Sequence, residues 1–500
     1  MSTARIAVCL QEPLALINPN LYGHFVEHLG TCIYEGVWVG EDSPIPNIGG
    51  MRKDVVAALK RIRPPVIRWP GGCFADDYHW QDGIGPRASR PRRVNIWWGE
   101  VIEPNAFGTH EFVQFCRLLG AEPYFCGNVG TGSPRELRDW VEYCNYARDS
   151  SLARERAANG SPEPFGIRYW SVGNENWGCG GTFTPEDYAT EYRRFATFLR
   201  DFSGTPLFLV ACGPSSNDPE WTRRFLTKLA GYSQFGAFRR IHGFSAHYYC
   251  GTAGTATEYT PNQWYQLIRR SLEMEPLIKQ QRAILDGFDP ERRIGLIVDE
   301  WGTWHPPAEG RNPYFNWQQN TLRDALVAAA TLDIFNRHAD KIIMGNIAQT
   351  INVLQAMILT DGPRMVTTPT YHVYDMYQFH QGATSVRAFF EAEEIAFKAG
   401  EEEQRLFGLG GSASVKDNVL TLSVVNPHVD QPVEATVELR SGRGLRSSAT
   451  VLSHTDIHAH NTFDAPDALK PQTTWFDLSC SEWRHTFPPA SVTVLRVPLG

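Results

Sequence analysis

The sequence contains no apolar run of about 18 residues, the length that a membrane-spanning helix needs. Its first residues also lack a basic region followed by an apolar one, so we expect no secretory signal peptide. Basic residues are not in excess, since the net charge is −8. The one basic run, from Arg87 to Arg93, is typical of a solvated loop, whereas broad nucleic-acid binding needs clustered Lys and Arg. We therefore expect neither a membrane nor a nucleic acid as partner.

The ten cysteines lack the paired spacing of a disulfide framework or a zinc site. Neither Cys-x-x-Cys nor His-Glu-x-x-His occurs, so we expect no metal site and no cofactor. Several cysteines lie inside apolar segments, as in Phe115-Cys116 and Phe125-Cys126. We interpret all ten as buried free thiols of a cytoplasmic protein.

From about residue 20 to residue 380, strand-like and helix-like segments alternate along the chain. Eight such alternations favour an α/β fold of the (β/α)₈ TIM-barrel type. A doubly wound parallel sheet is the alternative, but no Gly-x-Gly-x-x-Gly follows its first strand. The eight strand candidates are Tyr22–Glu27, Val66–Gly71, Glu122–Asn128, Ile167–Glu175, Leu207–Gly213, Ile241–Tyr249, Ile294–Glu300 and Ile342–Gln349.

Amphipathic stretches between these strands predict the helices. Ser133-Pro134-Arg135-Glu136 and Thr260-Pro261-Asn262-Gln263 have the pattern of capping boxes with proline at the first helical position. The predicted helices are Met51–Ile62, His110–Leu119, Pro134–Ala147, Pro185–Phe202, Pro219–Leu229, Pro261–Leu285 and Leu322–His338.

After residue 380 the pattern changes to short β-branched runs separated by Gly, Pro, Asn and Asp. Such a pattern is typical of an all-β sandwich, which we expect to be jelly-roll-like. The chain is long enough for two domains. We expect a catalytic barrel over residues 18–380 and a β-sandwich formed by residues 1–17 and 381–500. The predicted strands of the second domain are Arg5–Gln11, Val419–Val425, Val433–Leu439, Ala449–Ser453 and Val492–Val497.

Two of the barrel strands end in a glutamate that is followed closely by tryptophan, in the segments Ser171–Trp177 and Ile297–Trp301. The carboxyl ends of parallel barrel strands form the rim that holds the active site. Two carboxylates, here Glu175 and Glu300, facing each other across such a rim are what cleavage of a glycosidic bond needs. Other polar residues also stand at strand ends, namely His24, Glu27, Arg68, Asn128, Asn174, His247, Tyr249, Asn346 and Gln349.

Each of these residues taken alone has a structural explanation. A single glutamate at a strand end more often forms a loop salt bridge, and a tryptophan there is as often part of the core as a face for a sugar ring. Arg68 alone fits a structural ion pair, His247 a core histidine, and Gly71-Gly72 a tight turn. Cys73 has no implied partner and fits a packing role. The repeated Glu-and-Trp arrangement is what favours catalysis.

Taken together, these segments resemble glycoside hydrolase family 51, the α-L-arabinofuranosidases, over essentially the whole chain. The segments that carry the resemblance are Gly23–Gly30, Arg68-Trp69-Pro70-Gly71-Gly72, Gly173-Asn174-Glu175, Asp299-Glu300-Trp301 and Ile347-Ala348-Gln349. Asp76-Asp77 and Trp177–Gly181 depart from the usual family pattern. These departures bear on leaving-group preference more than on the chemistry.

The resemblance implies a role for each matching residue. Glu175 is the implied acid/base and Glu300 the implied nucleophile. The implied sugar-binding residues are Glu27, Cys73, Asn174, His247, Tyr249 and Gln349. Arg68 is implied to support the nucleophile, beside Tyr249. The implied substrates are arabinose-containing oligosaccharides or polysaccharides, and family members are often homo-oligomers, typically hexamers.

The residues predict a double displacement with net retention of configuration. Glu300 has to be ionised to attack the anomeric carbon, and Arg68 and Tyr249 would favour its charged form. Glu175 has to start protonated to donate to the leaving oxygen. The expected function is therefore a retaining, exo-acting α-L-arabinofuranosidase. The alternatives are another retaining glycosidase of the same clan (an endo-glucanase, a xylanase or a β-xylosidase) and a carbohydrate-binding protein on an inactive barrel.

Overall fold

The structure, a computed structural model, describes residues 4–232, 236 and 240–500. The first three residues of the predicted segment 1–17 lie outside this range. Among the described residues, none of the helices combines the length and the apolar character that crossing a bilayer requires.

Eight parallel strands form a closed barrel, which confirms the predicted (β/α)₈ fold. Each strand is paired with its neighbours in sequence, and the eighth also pairs with the first, since Asn346 is in register with Gly23. Seven of the eight barrel-strand candidates contain one of them, and the other candidate, Ile294–Glu300, ends two residues before its strand does. The eight strands are Gly23–Phe25, Val66–Trp69, Glu122–Gly127, Tyr169–Val172, Phe208–Ala211, Gly243–Tyr249, Gly295–Gly302 and Ile342–Ile347.

Helices cover the outside of the barrel, and most of them bury one apolar face. They span Lys53–Ile62, Thr109–Leu119, Pro134–Asn145, Ser151–Ala158, Pro185–Ala196, Pro219–Ala230, Pro261–Ser271, Met274–Phe288, Leu322–Arg337 and Pro369–Tyr377. Thr260 and Gln263 form the predicted capping box. The capping box predicted at Ser133 is only half formed. The Ser133 side chain accepts from Glu136 N, but the Glu136 side chain bonds with the His79 ring and not with the backbone N–H of Ser133.

The single helix predicted over Pro261–Leu285 is in fact two helices, Pro261–Ser271 and Met274–Phe288. The first packs on the hairpin of Ile395–Ala399 and Glu402–Leu406, and the second packs on the seventh barrel strand, so the break lets one segment cover two surfaces. Two helices were missed. Ser151–Ala158 buries only Ala153 and Arg156, and Pro369–Tyr377 is buried nearly all round, so neither has a clear apolar stripe.

Nine further strands form one sheet in the order Gln472–Phe476, Ser447–Ser453, Ser491–Pro498, Val419–Asn426, Gly410–Lys416, Thr384–Glu391, Ala4–Leu16, Val433–Arg440 and Glu482–Phe487. The first strand of the chain runs antiparallel to Thr384–Glu391 and parallel to Val433–Arg440. The rings of Phe476 and His485, on the two edge strands, lie 5.9 Å apart. The sheet therefore curls around an apolar core, as expected for the all-β part.

The helix Leu322–Arg337 joins the barrel to this sheet and is almost entirely buried. Its Asp333 accepts hydrogen bonds from Ser412 and Tyr377 at 2.6 and 3.1 Å. Burial raises the pKa of Asp333 to about 6, although the hydroxyl donors oppose the rise. Small side chains such as Ala328 and Ala329 let the barrel and the sheet approach the helix closely.

Candidate active site

The two predicted catalytic carboxylates meet at the carboxyl end of the barrel. Glu300 belongs to the seventh strand, and Glu175 follows the fourth strand with a backbone φ of +42°, a conformation that few non-glycine residues adopt. Glu175, Glu300 and His247 each offer an oxygen or nitrogen atom within 4.8 Å of the others. The space between these three side chains is called the cleft.

Glu300 is held by two donors at the bottom of this cleft. Arg68 Nη1 donates to Oε1 at 2.7 Å and the Tyr249 hydroxyl donates to Oε2 at 2.7 Å. Glu300 is only 5% exposed, so burial opposes its ionisation. The cations of His247 and Arg68, together with these hydrogen bonds, outweigh burial and lower the pKa of Glu300. The group is therefore an ionised, oriented carboxylate at neutral pH.

His247 bridges the two glutamates. Its Nδ1 lies 2.8 Å from Glu175 Oε1 and 3.6 Å from Glu300 Oε2. Burial alone would lower the pKa of His247, but the charge of Glu300 and the hydrogen bond with Glu175 raise it above its ordinary value. With a proton on Nδ1, the ring donates to Glu175 Oε1. A proton on Glu175 would accordingly reside on Oε2.

Glu27, Gln349 and Asn174 surround the cleft with buried polar groups. Glu27 accepts from Phe74 N at 3.1 Å, from Trp98 Nε1 at 2.9 Å and from Gln349 Nε2 at 2.8 Å. Burial and the nearby Glu300 raise the pKa of Glu27 to about 7. The Oε1 atom of Gln349 is buried and has no partner among the described residues.

Asn174 is oriented by the arginine that also holds Glu300. Its Oδ1 accepts from Arg68 Nη2 at 2.5 Å, which turns its NH₂ group in the opposite direction, towards Cys179 Sγ at 3.8 Å. Arg68 is thus more than a structural ion pair, since one guanidinium positions two of the predicted site residues.

Gly72 is required by the close approach of Glu27. A Cβ at Gly72 would collide with Glu27 Oε2, so the Gly71-Gly72 pair serves the polar cleft as well as the turn.

The interpretation of all ten cysteines as buried free thiols is wrong. Cys73 and Cys179 form a disulfide, with Cα atoms 5.5 Å apart, and Cys480 is exposed. The partners are 106 residues apart in the chain, in the loops that follow the second and fourth barrel strands. Only closure of the barrel brings these loops together. Cys73 therefore has a partner, and the pair lies beside Glu175.

Asp76 is a site residue that sequence reasoning did not assign. It is 3% exposed and accepts from Val129 N, Gly130 N and Asn174 N at 2.7, 2.9 and 2.8 Å. It thereby ties the ends of the third and fourth strands together, next to Glu175. The only signal in the sequence was that Asp76-Asp77 departs from the usual family pattern.

We expect Asp76→Asn to lower kcat about tenfold to a hundredfold with little change in KM, because an amide NH₂ would face backbone N–H donors and displace Asn174 and Glu175. Steady-state kinetics together with thermal unfolding would test this. The neighbouring Asp77→Asn is the control, since its side chain is only half-buried. Equal effects of the two substitutions would show that Asp76 does not position the site.

Several strand-end residues lie away from the cleft. His24 packs against the ring of Tyr374, at 5.2 Å, on the outside of the barrel. Asn128 Nδ2 donates to Tyr78 O at 3.1 Å, and Asn346 Nδ2 donates to Asp299 Oδ1 at 3.1 Å, so both are structural. A side chain's direction alternates along a strand, and the exact register that decides it is not visible in the sequence.

Trp301 is a core residue, not a sugar platform. It is 1% exposed and packs edge-on against Phe335. Other aromatic residues at the rim were missed. Trp98 reaches Glu27, and the 38%-exposed Trp304 packs edge-on against Tyr249 at 5.0 Å. Trp177, two residues after Glu175 in the sequence, is half-buried.

Comparison with known proteins agrees with this geometry. Residues 58–259 match the family model "Alpha-L-arabinofuranosidase 1 domain", and residues 299–491 match the model "Alpha-L-arabinofuranosidase C-terminal domain". A Bacteroides ovatus protein named intracellular exo-α-L-arabinofuranosidase is 42% identical over 475 residues, which are 94% of this chain and 90% of that protein.

Solved structures are similar over nearly the whole chain. The family 51 (GH51) arabinofuranosidase of Xanthomonas axonopodis pv. citri is 41% identical with a TM-score of 0.94, and the match covers 99% of this chain and 100% of that one. The α-L-arabinofuranosidase of Thermotoga maritima is 30% identical with a TM-score of 0.85 and the same coverage. The chain is therefore a glycoside hydrolase that belongs to the family 51 α-L-arabinofuranosidases.

Proposed function

We propose that the protein is a retaining, exo-acting enzyme that releases terminal α-L-arabinofuranose by double displacement. The observation that carries this proposal is the pairing of Glu300 and Glu175, whose carboxylates come within 4.8 Å of each other. Retaining glycosidases have carboxyl groups about 5–5.5 Å apart, whereas inverting ones need about 6.5–9.5 Å to admit a water molecule.

In the first step Glu300 attacks the anomeric carbon while Glu175 protonates the leaving oxygen. Arg68 and Tyr249 keep Glu300 ionised and aimed, and the proton leaves from Glu175 Oε2 because Oε1 is bonded to His247. The glycosidic C–O bond breaks as the Glu300–carbon ester bond forms.

In the second step a water molecule replaces the departed alcohol. Glu175, now a carboxylate, takes a proton from this water, and the resulting hydroxyl attacks the anomeric carbon and releases Glu300 as its carboxylate. Two inversions at one carbon give net retention. His247 Nδ1, 2.8 Å from Glu175 Oε1, keeps the carboxylate oriented for this step.

Recognition of the sugar would use the polar groups that remain around the cleft. Gln349 Oε1 is an acceptor with no partner in the described part of the chain, and Glu27 is an acceptor held in place by three donors. The Asn174 NH₂ has a second hydrogen besides the one directed at Cys179 Sγ. These three residues, with Cys73, His247 and Tyr249, are the proposed sugar contacts. Buried hydrogen-bonding groups of this kind favour one sugar strongly, because a sugar that lacks a matching hydroxyl leaves them unpaired.

The substrates that we propose are arabinan, arabinoxylan or oligosaccharides derived from them. The Bacteroides ovatus relative has both "exo" and "intracellular" in its name, which supports terminal cleavage and a cytoplasmic location for this chain. The homo-oligomer, a hexamer by family resemblance, stays a prediction that light scattering after size-exclusion chromatography would test.

A panel of aryl glycosides would test the activity. We expect p-nitrophenyl α-L-arabinofuranoside to be hydrolysed at least a hundredfold faster than the β-D-xylopyranoside, because the six-membered ring lacks the primary hydroxymethyl group and places its hydroxyls differently, which leaves buried groups unpaired. Proton NMR of the earliest product should show the α anomer. A preference for β-glucan or xylan would favour another glycosidase of the clan, and an initial β anomer would exclude the retaining mechanism.

A further inference from the structure

The disulfide between Cys73 and Cys179 lies against the oxygen of Glu175 that would carry the catalytic proton. Cys179 Sγ is 3.6 Å and Cys73 Sγ 4.0 Å from Glu175 Oε2. Oε1 on the same carboxylate is already bonded to His247. Both cysteines are half-buried, so a small reductant in solvent has access to them. The two sulfurs therefore contact the proposed acid/base directly, and a change in their oxidation state would act on it.

We propose that reduction of this disulfide turns Cys73, Cys179 and Glu175 into a binding site for a thiophilic divalent cation, Zn²⁺, that reversibly inactivates the enzyme. The binding site depends only on the three side chains. Its effect on activity rests on the proposed role of Glu175, because Zn²⁺ on Oε2 would replace the proton that the leaving group needs.

The distances fit a tetrahedral zinc site with little rearrangement. Zinc binds sulfur at about 2.3 Å and carboxylate oxygen at about 2.0 Å, which puts a ligand sulfur about 3.5 Å from a ligand oxygen. Glu175 Oε2 is already 3.6 and 4.0 Å from the two sulfurs. Only the sulfurs have to separate, to about 3.8 Å in a tetrahedral site. Rotation of the two side chains achieves this separation while the Cα atoms stay 5.5 Å apart.

The outer contacts of the site also fit. Ligating carboxylates are usually held by a hydrogen bond to their second oxygen, and His247 provides this bond to Oε1. Water from the open cleft would supply the fourth ligand. The two thiolates favour Zn²⁺ over Mg²⁺ and Ca²⁺, which prefer oxygen ligands.

The site forms in two steps, reduction of the disulfide and binding of Zn²⁺. A dithiol gives two electrons and two protons to the S–S bond, so Cys73 and Cys179 become thiols and the dithiol becomes a cyclic disulfide. Zn²⁺ then binds both sulfurs, and the two thiol protons go to solvent. Zinc affinity should consequently rise with pH. In a cytoplasmic enzyme such a disulfide would be exposed to cellular dithiols.

A second group of metal-binding side chains has to be separated from this site. Glu175, His247 and Glu300 are also close enough to share a cation. That trio is the same in the oxidised and the reduced protein, so any metal bound there would act independently of the disulfide. Comparison of the two redox states thus distinguishes the two sites.

The test uses the full chain with Cys480→Ser, which removes the exposed thiol outside the site and should leave activity unchanged. Oxidised protein is compared with protein reduced by a phosphine, which takes the oxygen of water as it opens the disulfide and does not itself hold zinc as a dithiol would. Thiol alkylation and mass spectrometry count the opened cysteines. Co²⁺ binding is followed by the thiolate-to-cobalt charge-transfer absorption, and hydrolysis of an aryl arabinofuranoside is followed with and without Zn²⁺.

We expect the charge-transfer band, displaced by Zn²⁺, in the reduced protein only. Zinc should lower the activity of the reduced enzyme at least tenfold, and EDTA should restore it. Cys179→Ser and Cys73→Ser, each compared with its own metal-free activity, should lose most of this sensitivity, and circular dichroism would verify their folding.

Four results would overturn the proposal: a disulfide that resists the phosphine, no band after reduction, equal zinc inhibition in both redox states, or full sensitivity in the serine variants. The band needs no substrate, so it would appear even if the enzyme cleaved another glycoside. The failure of this proposal is thereby distinguishable from the failure of the proposed function.

Discussion

Glu300→Ala is expected to lower kcat/KM roughly 10⁴- to 10⁶-fold, the loss typical of a removed nucleophile. Azide should restore part of the activity by occupying the space of the lost carboxylate and attacking the anomeric carbon. Only one displacement then occurs, so the product should be the β-arabinofuranosyl azide, with inverted configuration. NMR of the isolated azide would establish this configuration.

The control for this experiment is Glu27→Ala, which also removes a buried carboxylate close to Glu300. Azide should not rescue that variant, because no nucleophile has been lost. Glu300→Gln keeps the shape of the side chain and tests folding, since Glu300→Ala removes the closer of the two carboxylates that pair with the buried Arg68 and leaves only Asp299, at 3.8 Å. An Ala variant that is folded but not rescued by azide would exclude Glu300 as the nucleophile.

Glu175→Ala is expected to have an effect that depends on the leaving group. On arabino-oligosaccharides kcat/KM should fall about 10²- to 10⁴-fold, which is what general acid catalysis contributes. A dinitrophenyl leaving group needs no proton, so for that substrate kcat/KM should fall less than about tenfold. A plot of log kcat/KM against leaving-group acidity, made for both proteins, would measure the difference.

The same variant should also give a product opposite to that of Glu300→Ala. With Glu175 absent, the intermediate on Glu300 still forms, and azide in place of water attacks it in a second displacement. The azide formed should therefore have the retained α configuration. Asn128→Ala, a substitution of a nearby residue outside the cleft, should show neither the leaving-group dependence nor azide chemistry. Identical behaviour of the two glutamate variants would mean that their roles have been wrongly divided.

The barrel was predictable because its pattern is local. A buried parallel strand is a short apolar run, and the end of such a run, as at Val172 or Val298, is visible without any knowledge of its neighbours. Segments with a weak local pattern were missed, such as the helix Ser151–Ala158 and the strand Gly410–Lys416, which begins with two glycines. Their formation depends on what they pack against.

The contents of the cleft were only partly predictable. Glu175, Glu300, Arg68 and His247 stand at strand ends, and the structure brings them together. Trp301 stands at a strand end as well, but it points into the core. Neighbouring residues of a strand point to opposite faces, so a shift of one residue reverses a side chain's direction. Position in the sequence therefore gives a residue's height along the barrel axis but not whether it faces the inside or the outside.

The sequence by itself determined that two glutamates end two parallel strands, and this information is enough to predict a glycosidase, because the level of a strand end is a local property. Only the tertiary structure decided which side chains meet there. The Cys73–Cys179 bond joins positions 106 residues apart, and Asp76 binds backbone groups in the segments that follow two other strands. Such contacts depend on the closure of the barrel and the register of its strands, which are set by the packing of the whole chain.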